Sequence, residues 1–309
     1  MTTKARVIAD YGADYLIDDG ASIRRAAARH CDPAVGDWVV ADGNIIVDVL
    51  PRRNVFSRRA AGAEAREQVL AANVDVAFAV AASTDLNERR LERYLTIAWQ
   101  SGATPIVLLT KTDLVESVEP PAVSAHVIAT SCVTGEGLDE VAVELLPDRT
   151  GLLLGPSGVG KSTLINALAG TDLMGTREVH RSGEGRHMTS HRRLVRLSGG
   201  GSIIDSPGLR EAQLWEGEDA LGGVFEDIEE LALRCRFGDC AHDTEPGCAV
   251  KAAIEYGTLD RERLESYRKL RRELRAVAAK SDARLRADER RKWKQIAVAN
   301  RVRERYLRR

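Results

Sequence analysis

The stretch GPSGVGKS, Gly155–Ser162, follows the spacing G-x-x-x-x-G-K-[ST]. That spacing suits one chemistry, the cradling of a phosphate chain. Gly155, Gly158 and Gly160 let the loop, which also holds Pro156, Ser157 and Val159, wrap so that its N–H groups face phosphate oxygens. The helix N-terminus after the loop adds a field favourable to anions. Lys161 would reach the β- and γ-phosphates of a nucleotide, Ser162 would ligate Mg²⁺, and Thr163 could contact the α-phosphate. A Gly-rich strand-to-helix turn with a chance lysine is the competing interpretation. The apolar run LLL before the loop and the helical pattern LINAL after it weigh against that.

The loop alone does not choose a base. IIDSPGL ends an apolar run in Asp-x-x-Gly, Asp205–Gly208. There Asp205 can hold Mg²⁺ through water and the Gly208 N–H can meet the γ-phosphate. TKTD, Thr110–Asp113, follows the apolar run PIVLL. The Asp113 carboxylate can accept both N1–H and N2–H₂ of guanine, a pair that adenine does not offer. Lys111 would lie along the base, with Thr112 between them. Thr110 stands where this motif usually has Asn, so somewhat weaker support of the loop is expected, with base choice unchanged. In TSCVTGEGL, Ser131 and Cys132 occupy the place of a second base-contacting loop. Each of these shorter signals has a bland reading as an ordinary strand end; together with the phosphate loop they point to GTP or GDP.

Their order is unusual, because the guanine motif precedes the phosphate loop. Termini of compact domains lie close together, so a sheet can be joined there and opened elsewhere with its packing kept. The sequence TKTD, SCVTGEG, GPSGVGKST, switch, DSPG is the ordinary cycle entered late. Asp205 and the switch then lead directly into the C-terminal part of the chain, so nucleotide state could move that part.

A second cluster lies downstream. Cys235-x₄-Cys240-x-His242-x₅-Cys248 places three thiols and an imidazole within 14 residues. Such a set suits tetrahedral Zn²⁺ in a closed, structural site with no open position for catalysis; buried free cysteines are the other reading of the spacing. Five cysteines in all do not suggest a disulfide framework in a chain of this size.

Periodicity indicates the framework that holds these residues. The chain has 309 residues, 44% hydrophobic and 29% charged, as in a soluble globular protein of two or three domains. No run approaches a membrane span, and the start lacks a signal-like apolar stretch, so no membrane partner and a cytoplasmic home are expected. RVIAD, YLIDD, DWVVAD and NIIVDVL, separated by turn signals, predict a small β-barrel or sandwich, with Ser57–Gln68 as the connection to the next domain. VDVAFAVAA reads as a strand buried on both faces. NERRLERYLTIAWQSG reads as a helix stopped by Gly102. Further apolar runs alternating with helical segments predict a parallel sheet covered on both sides. From about Leu221 the chain is helical apart from the cysteine cluster. Residues 261–309 carry 19 Lys and Arg against 7 Asp and Glu, whereas the preceding 260 carry 26 against 39. This asymmetry suggests a basic surface for a polyanion; a solvated Arg-rich helix is the plain alternative.

With these motifs in hand the chain resembles the RsgA family of circularly permuted, ribosome-associated GTPases. VGDWV, the permuted motif order, GRHMTS, DSPGLRE and CRFGDCAHDTEPGCAV carry the likeness across nearly the whole chain. The resemblance implies an α/β fold: an OB-like β-barrel (1–62), a circularly permuted P-loop GTPase domain (63–220) and a helical zinc-binding C-terminal domain (221–309). Cys235, Cys240, His242 and Cys248 match the family's zinc ligands. The implied activity is GTP hydrolysis in late maturation of the small ribosomal subunit, stimulated by that subunit, with its rRNA as a contact. A monomer is expected. The alternative is an RNA-binding assembly factor that keeps GTP as a structural ligand. Leu209 occupies the position where many GTPases orient water with Gln. His187 matches the family's Gly-x-His-Thr-Thr-Thr histidine proposed to act on the water, and Lys161 and Thr189 complete the implied catalytic set. Met188 and Ser190 depart from that pattern. Thr189 is therefore the expected Mg²⁺-contacting hydroxyl and Ser190 the second choice.

Overall fold

The computed structural model describes residues 2–59, 67–171, 192–205 and 219–276. Among these, thirteen strands fall into an eleven-stranded sheet and a separate pair. The barrel comprises β1 (Thr2–Asp10), β2 (Tyr15–Asp18), β3 (Ile23–Ala28), β4 (Trp38–Asp42) and β5 (Ile45–Val49). Its order is β1-β2-β3-β5-β4, closed by β1–β4 pairing, with β3 and β5 parallel. Ala5, Val7, Ile17, Val39, Ala41 and Ile46 fill its interior, and Arg6 and Val40 between them are less buried. Asp37, just before β4, is fully buried and accepts from Arg52 Nε and Nη2 at 2.9 and 2.7 Å and from the Ala34 N–H at 2.8 Å.

Ser57–Gln68 is not a plain connection. Ser57–Arg59 belong to β6 (Val55–Arg59), and Glu67 and Gln68 to β7 (Glu67–Ala72), which pair antiparallel. Their polar ends hid the pattern, while Phe56, Leu70 and Ala71 are buried. This pair seats the barrel: Ala72 N–H donates to Val35 O at 3.0 Å. The neighbouring Gly36 has φ +94°, and a Cβ there would lie 2.2 Å from Ala72 O.

Five parallel strands then run in the order β10-β9-β8-β11-β13: β8 (Val76–Ala82), β9 (Thr104–Thr110), β10 (His126–Ala129), β11 (Thr150–Leu154) and β13 (Ser202–Asp205). The expectation of a purely parallel sheet is corrected at its edge. β12 (Arg192–Arg196) pairs antiparallel with β13 and then with β1 of the barrel, so the sheet continues into it. Period two decides the layers. Val76, Phe78, Val80 and Ala82 pack with α2 (Leu138–Val143) and α3 (Lys161–Ala169) through Val141, Leu164 and Ile165. Ala77, Ala79 and Ala81 face the other side, with α1 (Glu88–Ser101).

α1 starts where Asn87 Oδ1 accepts the Arg90 N–H at 2.9 Å and ends at Gly102, in the left-handed conformation. Its Leu91, Leu95 and Ala98 share one core with residues of α4 (Asp219–Val224), α5 (Glu226–Ala232), α6 (Ala249–Glu255) and a last described helix, α7, residues 261–276. In α7, Leu264, Tyr267, Leu270 and Leu274 are buried, as their spacing predicts. Among the described residues no helix is long and apolar enough to cross a membrane.

Candidate functional site

The C-terminal ends of parallel strands are where open α/β sheets place ligands. Here those ends gather the sequence motifs. β9 runs into Thr110–Asp113, β10 into Ser131 and Cys132, β11 into the loop 155–160, and β13 ends at buried Asp205. The phosphate loop turns into α3 at Gly160, with φ +105°, a conformation that favours glycine. Lys161 is held inside the turn, its Nζ donating to Gly155 O at 2.8 Å and Pro156 O at 2.7 Å. Ser162 and Thr163 occupy the first turn of α3.

The guanine motif crosses the end of β8 to reach this loop. Thr110 Oγ1 lies 2.6 Å from Val159 O, and Lys111 Nζ donates to Gly158 O at 2.9 Å. Lys111 takes a left-handed backbone conformation, φ +60°, uncommon for a residue with a side chain and frequent at functional sites. Asp113 is exposed, and its Oδ1 accepts from the buried Ser131 hydroxyl at 2.6 Å. Ser131 Oγ in turn accepts the N–H groups of Val133 at 3.1 Å and Thr134 at 3.2 Å, which fixes its direction. The loops that follow β9 and β10 are thus bonded to each other. Burial, and then the Asp113 carboxylate, push the Cys132 thiol up, so it is uncharged near neutrality. Sequence reading did not single out Glu136, which accepts from Thr112 Oγ1 at 2.8 Å and braces the same loop pair. His187, Thr189, Ser190 and Gly208 lie outside the described residues.

The cysteine cluster is assembled locally. Cys235 follows α5, Cys240 and His242 sit in the next loop, and Cys248 caps α6, its Sγ accepting the Lys251 N–H at 3.4 Å. The four candidate ligand atoms lie within 4.8 Å of one another. Tetrahedral zinc with its usual bond lengths sets sulfurs about 3.8 Å apart and sulfur from nitrogen about 3.6 Å. Cys235 and Cys248 sulfurs are 3.9 Å apart, and His242 Nδ1 is 3.6 and 3.5 Å from them. The residues therefore fit a tetrahedral ion. Burial, then Arg271 and Arg268, lower the His242 pKa and favour the neutral, ligating imidazole. The Glu245 carboxylate is held down to a pKa of about 2 by its own backbone N–H and then by those of Ala241 at 3.0 Å and Asp243 at 2.8 Å, bonds that shape the turn.

Residues 49–215 match the family model described as RsgA GTPase. The small ribosomal subunit biogenesis GTPase RsgA of Streptomyces avermitilis is 49% identical over 277 residues, covering 84% of this chain and 74% of the relative. The chain belongs to the RsgA GTPase family. A second RsgA GTPase, from Opitutus terrae, is 44% identical over 310 residues, 93% of this chain and 84% of its own. The crystal structure of YjeQ from Thermotoga maritima superposes with a TM-score of 0.64 at 23% identity, covering 89% and 99% of the two chains. YloQ, described as a circularly permuted GTPase, gives 0.59 at 24% identity, covering 89% and 96%. The fold is accordingly a permuted P-loop GTPase domain with an N-terminal five-stranded barrel and a C-terminal helical unit carrying a Cys₃His cluster.

Proposed function

We propose that this RsgA GTPase binds GTP across the ends of β9, β10, β11 and β13, hydrolyses it to GDP and phosphate, and does so in late maturation of the small ribosomal subunit. The observation that carries the reading is the bond between Ser131 and Asp113, two loops from the guanine side, beside the bond from Lys111 to the phosphate loop. In this reading Asp113 accepts guanine N1–H and N2–H₂, with Ser131 holding the carboxylate in line. Cys132 lends its backbone to the base, and Lys111 lies along it. Gly155–Thr163 wrap the phosphates, and Lys161 supplies the charge for the β- and γ-groups. Ser162, Asp205 and Thr189 would hold Mg²⁺, which neutralises charge developing on the phosphates. In the same reading the Gly208 N–H would meet the γ-phosphate and His187 would orient water, since Leu209 has no polar group for that task.

The Cys₃His cluster holds one structural zinc in this reading. The basic C-terminal segment lies against rRNA through phosphate contacts, and the protein works in the cytoplasm as a monomer. Turnover measured with and without purified small subunits tests the proposal. Stimulation by the subunit is expected, and His187→Ala should keep GTP affinity while lowering stimulated turnover at least tenfold. Turnover that stays negligible with subunits present would favour an assembly factor for which GTP is a structural ligand.

A further inference from the structure

Three hydrogen bonds and a peptide bond close a ring that includes the Asp113 carboxylate. Asp113 Oδ1 accepts from Ser131 Oγ at 2.6 Å. The Ser131 N–H donates to Glu136 O at 3.1 Å. Glu136 Oε2 accepts from Thr112 Oγ1 at 2.8 Å, and Thr112 is joined directly to Asp113. A carboxylate only accepts, so the Thr112 hydroxyl gives its proton to this contact. Thr112 is buried, with its N–H on Thr130 O at 3.3 Å. Asp113 is exposed, so packing does not fix its direction; the ring does. Glu136 is the residue that holds the ring from two sides, Ser131 by its carbonyl and Thr112 by its side chain. Guanine offers Asp113 two donors, N1–H and N2–H₂, and a carboxylate meets both only when it lies along the base edge.

We propose that Glu136 is a positioning residue for guanine: through Thr112 and Ser131 it sets the Asp113 carboxylate to meet N1–H and N2–H₂ together. The proposal deepens the guanine reading of Asp113 above and rests on it. It gives Glu136 a share in base preference that acts through Asp113.

The test is competition binding of GDP and IDP, with Mg²⁺, to the full chain and to Glu136→Ala, Glu136→Gln, Thr112→Val and the Glu136→Ala, Thr112→Val double variant. The hypoxanthine of IDP keeps N1–H and lacks the 2-amino group, so IDP asks one contact of Asp113 where GDP asks two. Glu136→Ala should weaken GDP about fivefold, the effect of one hydrogen bond, and IDP by less than about twofold. A loop that had merely loosened would weaken both alike. Glu136→Gln keeps a side-chain carbonyl to accept from Thr112 and should hold GDP within about twofold. Thr112→Val keeps the volume and removes the proton. It should match Glu136→Ala, and the double variant should bind no more weakly than either alone, because all three break the same bond. GDP binding unmoved by Glu136→Ala, equal losses for GDP and IDP, or a double variant in which the two losses multiply overturns the proposal. If Thr112→Val does not fold, the GDP and IDP losses of the Glu136 variants, altered at an exposed position, decide alone. An unaltered chain that binds GDP no better than IDP would instead sink the guanine reading of Asp113, and the role of Glu136 with it.

Discussion

The two ends of the chain are attached to the nucleotide domain in opposite ways. The N-terminal barrel has its own interior, built from Val7, Ile17, Val39 and Ile46, and joins the rest of the chain through the edge pairing of β1 with β12 and through Ile8 and Val35, which lie in the larger core. Among the described residues the C-terminal helices have no such separate interior. Phe225, Ile228, Val250, Leu264 and Tyr267 lie in one core with Leu91, Tyr94 and Leu95 of α1. Arg263 locks that junction. All five of its N–H groups are used: Nε and Nη2 donate to Asp227 at 2.7 and 2.9 Å, Nη1 to Glu92 at 3.0 Å and Ala122 O at 2.9 Å, and Nη2 to Val224 O at 2.8 Å. Its guanidinium also lies 5.0 Å from the Phe225 ring centroid. The barrel's own interior can be perturbed without disturbing the nucleotide domain, whereas the C-terminal unit depends on that domain and on its own Cys₃His cluster.

The largest effect should come from the cluster. Structural zinc contributes about 10–16 kcal/mol in small domains, so Cys240→Ser should take zinc from one per chain to none. It should also abolish hydrogen-exchange protection over α5 and α6 while the barrel strands keep theirs. Loss of protection in the barrel as well would mean that the two ends are not independent. Acidification should act in the same direction. Without an ion, burial and the neighbouring thiols push Cys240 up to about 11, so zinc binding displaces thiol protons and weakens as pH falls. Zinc release to a chromogenic chelator across pH 5 to 8 measures this.

Arg263→Ala comes next, at about 3–5 kcal/mol, because it leaves the buried Glu92 carboxylate without its charge partner. Denaturant unfolding should show it, together with earlier exposure of the C-terminal helices. In the barrel, Ile46→Val removes one buried methyl group and should cost about 1 kcal/mol, confined to barrel probes. The smallest change belongs to Arg89, which pairs with Glu262 at 3.5 Å and Glu265 at 3.3 Å across the junction that Arg263 locks, but in the open. Arg89→Ala should stay within about 1 kcal/mol. A larger loss there than at Arg263 would mean that surface charge, not the buried lock, holds the unit.

Local chemistry was the most legible in the sequence. The phosphate loop, the Gly102 stop and the four clustered ligands announce themselves within a few residues, because each depends on a short run of backbone. The doubly buried β8 was readable for the same reason. β3 was not: Ile23 is 62% exposed and two arginines follow it, so no apolar face shows in its pattern. β6 and β7 were hidden because their facing ends, Ser57–Arg59 and Glu67–Gln68, are almost all polar. The antiparallel direction of β12 has no signature in residue types, since pairing sense is set by the path of the chain. Arg263 was invisible as a lock because Glu92 lies 171 residues away. TKTD gave the right strand end for Thr110, but the bond to Val159, 49 residues on, required the fold.

The proposed site reads guanine with Asp113 and phosphates with the loop at Gly155–Thr163. Calorimetric titration of the unaltered chain and of Asp113→Asn with GDP, XDP and ADP is its sharpest test. The unaltered chain should bind GDP and ignore ADP. Asp113→Asn should lose at least about a hundredfold in GDP affinity and gain XDP, because xanthine replaces the guanine amino group with a carbonyl that the Asn amide can meet. ADP bound as tightly as GDP, or a nucleotide preference unmoved by the substitution, would refute a guanine site at Asp113.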